Sequence, residues 1–177
     1  MRYAIGKRYH YEIEDTEHGL DRKLTIIRDL ILQSRHDGIT GDVAHRITYT
    51  YTDDASRISA VYYWVRDNMR FTPDSGADDV FVSSHRQIVR IMHTGEGYGD
   101  CDDYTILTGS LLHNIGIPIR PVVVSAVHEG SGDWNHVYIE ALDRGSGTWV
   151  ILDPVRKNRG IGRTSPYTKR RVYPVIQ

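Results

Sequence analysis

A cysteine, a histidine and an aspartate, met in that order, carry the chemistry that this sequence can perform. Cys101 is the single cysteine of the chain and stands in Gly97-Tyr98-Gly99-Asp100-Cys101-Asp102-Asp103-Tyr104. Glycines at 95, 97 and 99 give a loop that bends sharply and lets backbone come close to a ligand. A helix follows, with Tyr104, Thr108, Leu111 and Ile115 at three- and four-residue steps, so one stripe is expected to face a core. Asp100 is its natural N-cap, Gly116 its left-handed cap and Pro118 its stop. Cys101 therefore occupies the first helical position, where unpaired amides and the helix dipole favour an anion. A thiol there is expected to have a depressed pKa, although Asp102 and Asp103 oppose a thiolate if they point at it. Three aspartates and three glycines around it are poor core material and suit a polar cleft.

His136 opens a strand, and Asp153 closes the next one in Leu152-Asp153-Pro154. In an antiparallel meander the start of one strand and the end of the following one are neighbours. A helix packed on that sheet brings its N-terminus beside them. The result is nucleophile, base and orienter, the arrangement of acyl-transfer enzymes. Of the nine histidines, His93, His113 and His128 are rivals for the base. His113 lies about three turns along the Cys101 helix, too far to help. His128, across the hairpin from His136, is the serious alternative.

The elements that must position these groups are legible in the periodicity. Residues 1–19 form a polar extended arm, with at most one strand. Asp21 is expected to cap a helix through about Arg35, with Gly38 beyond its end. A short helix is expected around Val43–Ile47, and Asp53 or Asp54 caps another with Ile58, Val61, Tyr62, Val65 and Met69 inward. Pro73, Asp74 and Gly76 make a loop; Ser83 or Ser84 starts a helix with Ile88, Ile91 and Met92. After the Cys101 helix the period becomes two, giving strands over 119–127, 136–142 and 148–152, an antiparallel meander. Helices first, then strands, is an α+β layout. With 177 residues and a net charge of −1, one domain is expected: arm and helices over 1–54, core over 55–155, basic tail over 156–177. The first twenty residues hold no apolar run, so no signal peptide or membrane span is expected, and a cytoplasmic setting is the default.

With those motifs in place, GDCDDYTILTGSLLHNIGIPIRPVVV, NHVYIEAL and TWVILDPV resemble the transglutaminase-like branch of the papain-like thiol enzymes. Cys101, His136 and Asp153 fall on that family's triad one for one, and YYWVRDNMRF is similar to its usual lead-in helix. The resemblance spans about residues 55–155 and is to the compact bacterial, archaeal and phage-encoded members. It implies a papain-like core with the nucleophile helix on an antiparallel sheet. It also implies a Cys-His-Asp acyl transferase acting on protein or peptide amides, with hydrolysis the expected outcome. A crosslinking transglutaminase, with lysine as acceptor, is the alternative.

The oxyanion of such a reaction needs two donors. The Cys101 backbone N–H is one; Trp64, Tyr98 and Asn135 are candidates for the second. No cofactor or metal is expected: Asp100, Asp102 and Asp103 lack the alternating spacing and distal glutamate of a calcium loop, and capping explains them. The tail from Arg156 carries seven Lys/Arg and no acid. It can seek a phosphate backbone or an assembly partner, but pairing with acidic parts of its own chain is favoured, and no nucleic-acid motif accompanies it. The second class of function is therefore a structural or interaction protein, for instance a virion-associated phage component, that keeps the fold. The geometric argument for His136 predicts that His136→Ala strips Cys101 of its reactivity toward iodoacetamide, while His128→Ala leaves it nearly intact. The reverse result would move the site across the hairpin.

Overall fold

The computed structural model describes residues 6–13, 16–74, 79–127 and 134–177. A first strand, β1 (Arg8–Tyr11), leads to α1 (Glu17–Gln33), a 3₁₀ turn (Ser34–His36), α2 (Gly38–Thr48) and α3 (Asp54–Asn68). β2 (Met69–Phe71), β3 (Asp79–Val82), α4 (Ser84–Thr94) and β4 (Gly97–Gly99) precede α5 (Cys101–Asn114). The chain then builds β5 (Ile119–Ala126), β6 (His136–Asp143), β7 (Thr148–Leu152) and β8 (Tyr167–Val172). This is the α+β layout expected, with one more sheet strand and three short strands that periodicity did not announce. No described helix is long and apolar enough to cross a membrane.

Helix starts follow side-chain caps. Thr16, not Asp21, caps α1 by accepting the Gly19 N–H at 3.1 Å, so the helix begins one turn earlier than expected. Asp37 accepts the Ile39 and Thr40 amides at 3.2 and 3.3 Å. It thereby makes Gly38 the first residue of α2, where the sequence placed it beyond a helix end. Asp53 and Ser83 cap α3 and α4 as expected.

α5 is the axis of the molecule. Every residue from Asp102 to His113 is buried, where a single apolar stripe was expected. α1, α2, α3 and α4 pack around it, and β6 runs along it. The closeness has a visible cost at Gly109, where a Cβ would stand 2.6 Å from Ile31 Cδ1 of α1. Across the other layer, Thr105 Oγ1 donates to the Val137 carbonyl at 3.2 Å.

The main sheet has the order β7-β6-β5-β8, antiparallel throughout. Its fourth strand comes from the basic tail, with Val122 opposite Val172 and a bulge at Ser125/Ala126. Glu140 of β6, 3% exposed, is held by Arg170 of β8 at 2.6 Å and by Arg120 of β5 at 2.7 Å. Arg171 reaches Glu17 of α1 at 2.7 Å. The tail pairs with acids of its own chain. Two minor pairs complete the fold: β1 with β3, antiparallel, and β2 with β4, parallel, with Arg70 opposite Tyr98.

The price of burying α5 on all sides is polar groups inside, and His113 is the plainest. It is 1% exposed and neither ring nitrogen has a hydrogen-bond partner among the described residues. Burial first, then the charge of Arg35, lowers its pKa from 6.5 to about 4. The unfolded chain takes up this proton near pH 6.5 and the folded one does not. Stability is therefore full above that value and is lost as pH falls toward about 4, by up to about 3 kcal/mol. Thermal melting between pH 7 and 4 should show a drop that His113→Gln flattens; parallel slopes for the two proteins would refute it.

Candidate active site

Cys101 is placed by the parallel pair of β2 and β4, which sets Gly99 opposite Phe71 at the end of β2. Gly99 is required there, because the Asp103 side chain folds back into the space a Cβ would take. Asp103 Oδ1 in turn accepts the Val82 N–H of β3 at 2.7 Å. Asp100 Oδ1 accepts the Asp102 N–H at 3.0 Å, the N-cap expected. The thiol then projects toward β6, where it meets the Val137 N–H, one residue beyond His136. The β6–β7 ladder begins only at Ile139 opposite Leu152, so this end of β6 is left for the thiol.

The thiol's electrostatics differ from the sequence expectation. Burial raises its pKa well above the free value, and Asp102 and Asp100 push the same way, while Lys23 and the Val137 N–H pull it down. Asp102 Oδ1 lies 3.7 Å from the sulfur. The helix N-terminus does not outweigh two carboxylates in a crowded cleft. These influences favour the neutral thiol. Asp100 is raised as well, by burial first and then by Asp102 and Asp74, and Asp103 is raised by burial and then by Asp100.

His136 and Asp153 meet as the meander argument required, with Nε2 and Oδ2 2.8 Å apart. Both are buried, at 3% and 1% exposure. Asp153 thus lies inside the protein, not at an outer strand end. A carboxylate only accepts, so Nε2 donates this bond. Thr164, in the tail, donates a second bond to Asp153 Oδ2 at 2.6 Å. Sequence reading missed Thr164, and no local signal marks it. Asp153 Oδ1 has no hydrogen-bond partner among the described residues, and Tyr62 of α3 lies within electrostatic reach of this carboxylate.

The other candidates are dispersed. His93 is exposed on α4, His113 is sealed at the far end of α5, and His128 lies outside the described residues. Asn135 is spent on the sheet: its Oδ1 accepts the Ala126 N–H at 2.7 Å and its Nδ2 donates to the Ala126 carbonyl at 3.2 Å. Tyr98 carries the Arg90 guanidinium over its ring, 4.3 Å from the centroid. Trp64 faces a groove of about 1120 Å³ between α2, α3 and α4, whose walls include Val43, Ile47, Tyr63 and Met92 but none of Cys101, His136 or Asp153. The Cys101 N–H, at the first helical position, has no acceptor within its helix.

Asp100, Cys101 and Asp102 bring their ligand-type atoms within 4.8 Å of one another. The cation beside them is a lysine: Lys23 Nζ lies 3.1 Å from Asp102 Oδ2 and 2.5 Å from Asp79 Oδ1.

The family model described as Transglutaminase-like superfamily matches residues 41–154, more than half of the chain. Among solved structures, a candidate cysteine protease from Cytophaga hutchinsonii shares the fold at a TM-score of 0.52 and 18% identity, over 77% of this chain and 50% of that one. A candidate protease from Parabacteroides distasonis gives a TM-score of 0.49 at 14% identity, over 72% and 26% of the two chains. A TGase gives 0.40 at 10% identity, over 86% and 36%. The chain thus spans half or less of the solved structures it resembles. No curated protein matches it.

The tautomer argument yields a measurement. Asp153→Asn can donate through its amide and stabilise the Nδ1–H form, which removes the base from the thiol. Alkylation of Cys101 should slow by at least about tenfold, and turnover should fall toward the roughly 10⁴-fold loss seen for the same change in serine triads. Because the residue is buried and doubly bonded, melting should also fall, by about 1–3 kcal/mol of stability. Alkylation at the wild-type rate would make Asp153 structural only.

Proposed function

The chain belongs to the transglutaminase-like superfamily, and from that premise we propose that it is a cysteine hydrolase of protein or peptide amides. The observation that carries the reading is the buried His136–Asp153 bond of 2.8 Å, next to the strand position that receives the Cys101 thiol.

The thiol is neutral at rest, so proton transfer accompanies attack. His136 Nδ1 takes the Sγ proton as the sulfur bonds to the amide carbon. Asp153 and Thr164 hold the imidazolium so formed. The oxyanion is met by the Cys101 N–H at the helix start. The imidazolium returns its proton to the leaving nitrogen, giving ammonia or an amine and a thioester. Water, deprotonated by Nδ1, then attacks the thioester; the acid leaves and Cys101 regains its proton.

Water is favoured over a lysine as acceptor for an electrostatic reason. Asp102, whose Oδ1 lies 3.7 Å from the sulfur, holds an approaching amine in its protonated, non-nucleophilic form.

Incubation of the protein with denatured casein and a fluorescent primary amine, followed by mass spectrometry, tests this directly. Cleaved or deamidated products without amine incorporation, abolished in Cys101→Ser, are expected. Dominant amine incorporation would make the protein a transamidase. If wild type and Cys101→Ser behave alike, and no peptidyl chloromethyl ketone adduct forms on Cys101, the interaction-protein reading replaces the enzyme.

A further inference from the structure

We propose that Lys23 is a positioning residue of the thiol site, supplying from α1 the positive charge that the carboxylate cluster around Cys101 otherwise lacks. This deepens the proposed function, since it rests on Cys101 being the nucleophile, but it concerns the thiol alone.

The geometry is a relay of charges across three elements. Lys23 projects from α1, outside the segment that the family model matches. Its ammonium lies 3.1 Å from Asp102 Oδ2 and 2.5 Å from Asp79 Oδ1 of β3. The other oxygen of Asp102 lies 3.7 Å from the Cys101 sulfur. Asp102 is 2% exposed, and a carboxylate so buried requires a countercharge or a proton.

The charged groups facing the thiol are lopsided. Asp100, the cap of α5, and Asp102 within it push against a thiolate, while Asp79 of β3 pairs with Lys23 and Asp74 reaches Asp100. β6 contributes His136, which is tied to Asp153. Lys23 is the cation that α1 adds, and its charge reaches Cys101 and Asp100 as well as its two direct partners. Lys23 and Asp79 also line a cleft of about 200 Å³ with Thr16, Leu20 and Trp134. The cation is thus held at a wall rather than free in solvent. Removing it leaves Asp102 facing the sulfur uncompensated, and the thiol becomes harder to ionise and a poorer partner for His136.

Because the chain has one cysteine, iodoacetamide labelling across pH reads this thiol and nothing else, whether or not a substrate exists. Lys23→Gln should raise the labelling midpoint by about one unit and slow labelling at pH 7 about tenfold. Lys23→Arg should keep it within a few tenths of wild type. Asp102→Asn should lower the midpoint, and the double variant should return toward wild type. A wild-type profile for Lys23→Gln, or equal profiles for the Gln and Arg variants, would show that the lysine only tethers α1 to β3. If Lys23→Gln does not fold, Asp102→Asn decides: an unmoved midpoint overturns the proposal, since the thiol would then not feel the pair. Absence of turnover in the wild type, with these shifts intact, would count against the hydrolase reading, not against Lys23.

Discussion

The structure depends on one constraint: α5 is buried on every side and must still present its first residue to a cleft. A helix in that position has its N-terminal amides fixed by the packing of the whole molecule, so the direction of the Cys101 side chain is not a local property. Thr105, one turn in, is bonded to the strand that follows His136, and the thiol meets the amide of that same residue, Val137. Sheet and helix are joined at the place where the proposed chemistry occurs. Small errors of packing along α5 would be transmitted there directly.

The cost of this arrangement is paid in electrostatics. Acidic residues that complement a helix N-terminus on a surface are, here, inside the protein. Asp100 and Asp102 crowd one sulfur, and Asp100 and Asp103 are held toward their protonated forms by burial. The dipole argument that favours an anion at a helix start is sound, but it is worth at most about 2 kcal/mol, and two nearby carboxylates with desolvation exceed it. That is why the surroundings of the thiol favour its neutral form.

Much of this was legible along the chain. The Asp100 cap, the start of α5 at Cys101, the three strands of the meander and the His136–Asp153 neighbourhood follow from period and from strand connectivity, both of which are written locally. The misreadings have a common physical origin. Asp21 and Gly38 were assigned from residue type, but Thr16 and Asp37 won the competition to satisfy the first amides. The all-round burial of α5 was hidden because Asp102, Asp103, Thr105, Thr108 and Ser110 read as a polar face until four helices and a strand close over them. Thr164 and Lys23 carried no signal, because their importance arises from contacts made across long stretches of sequence.

The bond from Thr164 to Asp153 has a consequence in time. The ribosome delivers Cys101 first, then His136, then Asp153, and the threonine that completes the carboxylate's hydrogen bonding only later. The strand that follows it, β8, closes the edge of the sheet on β5. A nascent chain therefore carries its thiol, its histidine and the carboxylate bonded to that histidine before the threonine that completes the carboxylate's bonding has been made.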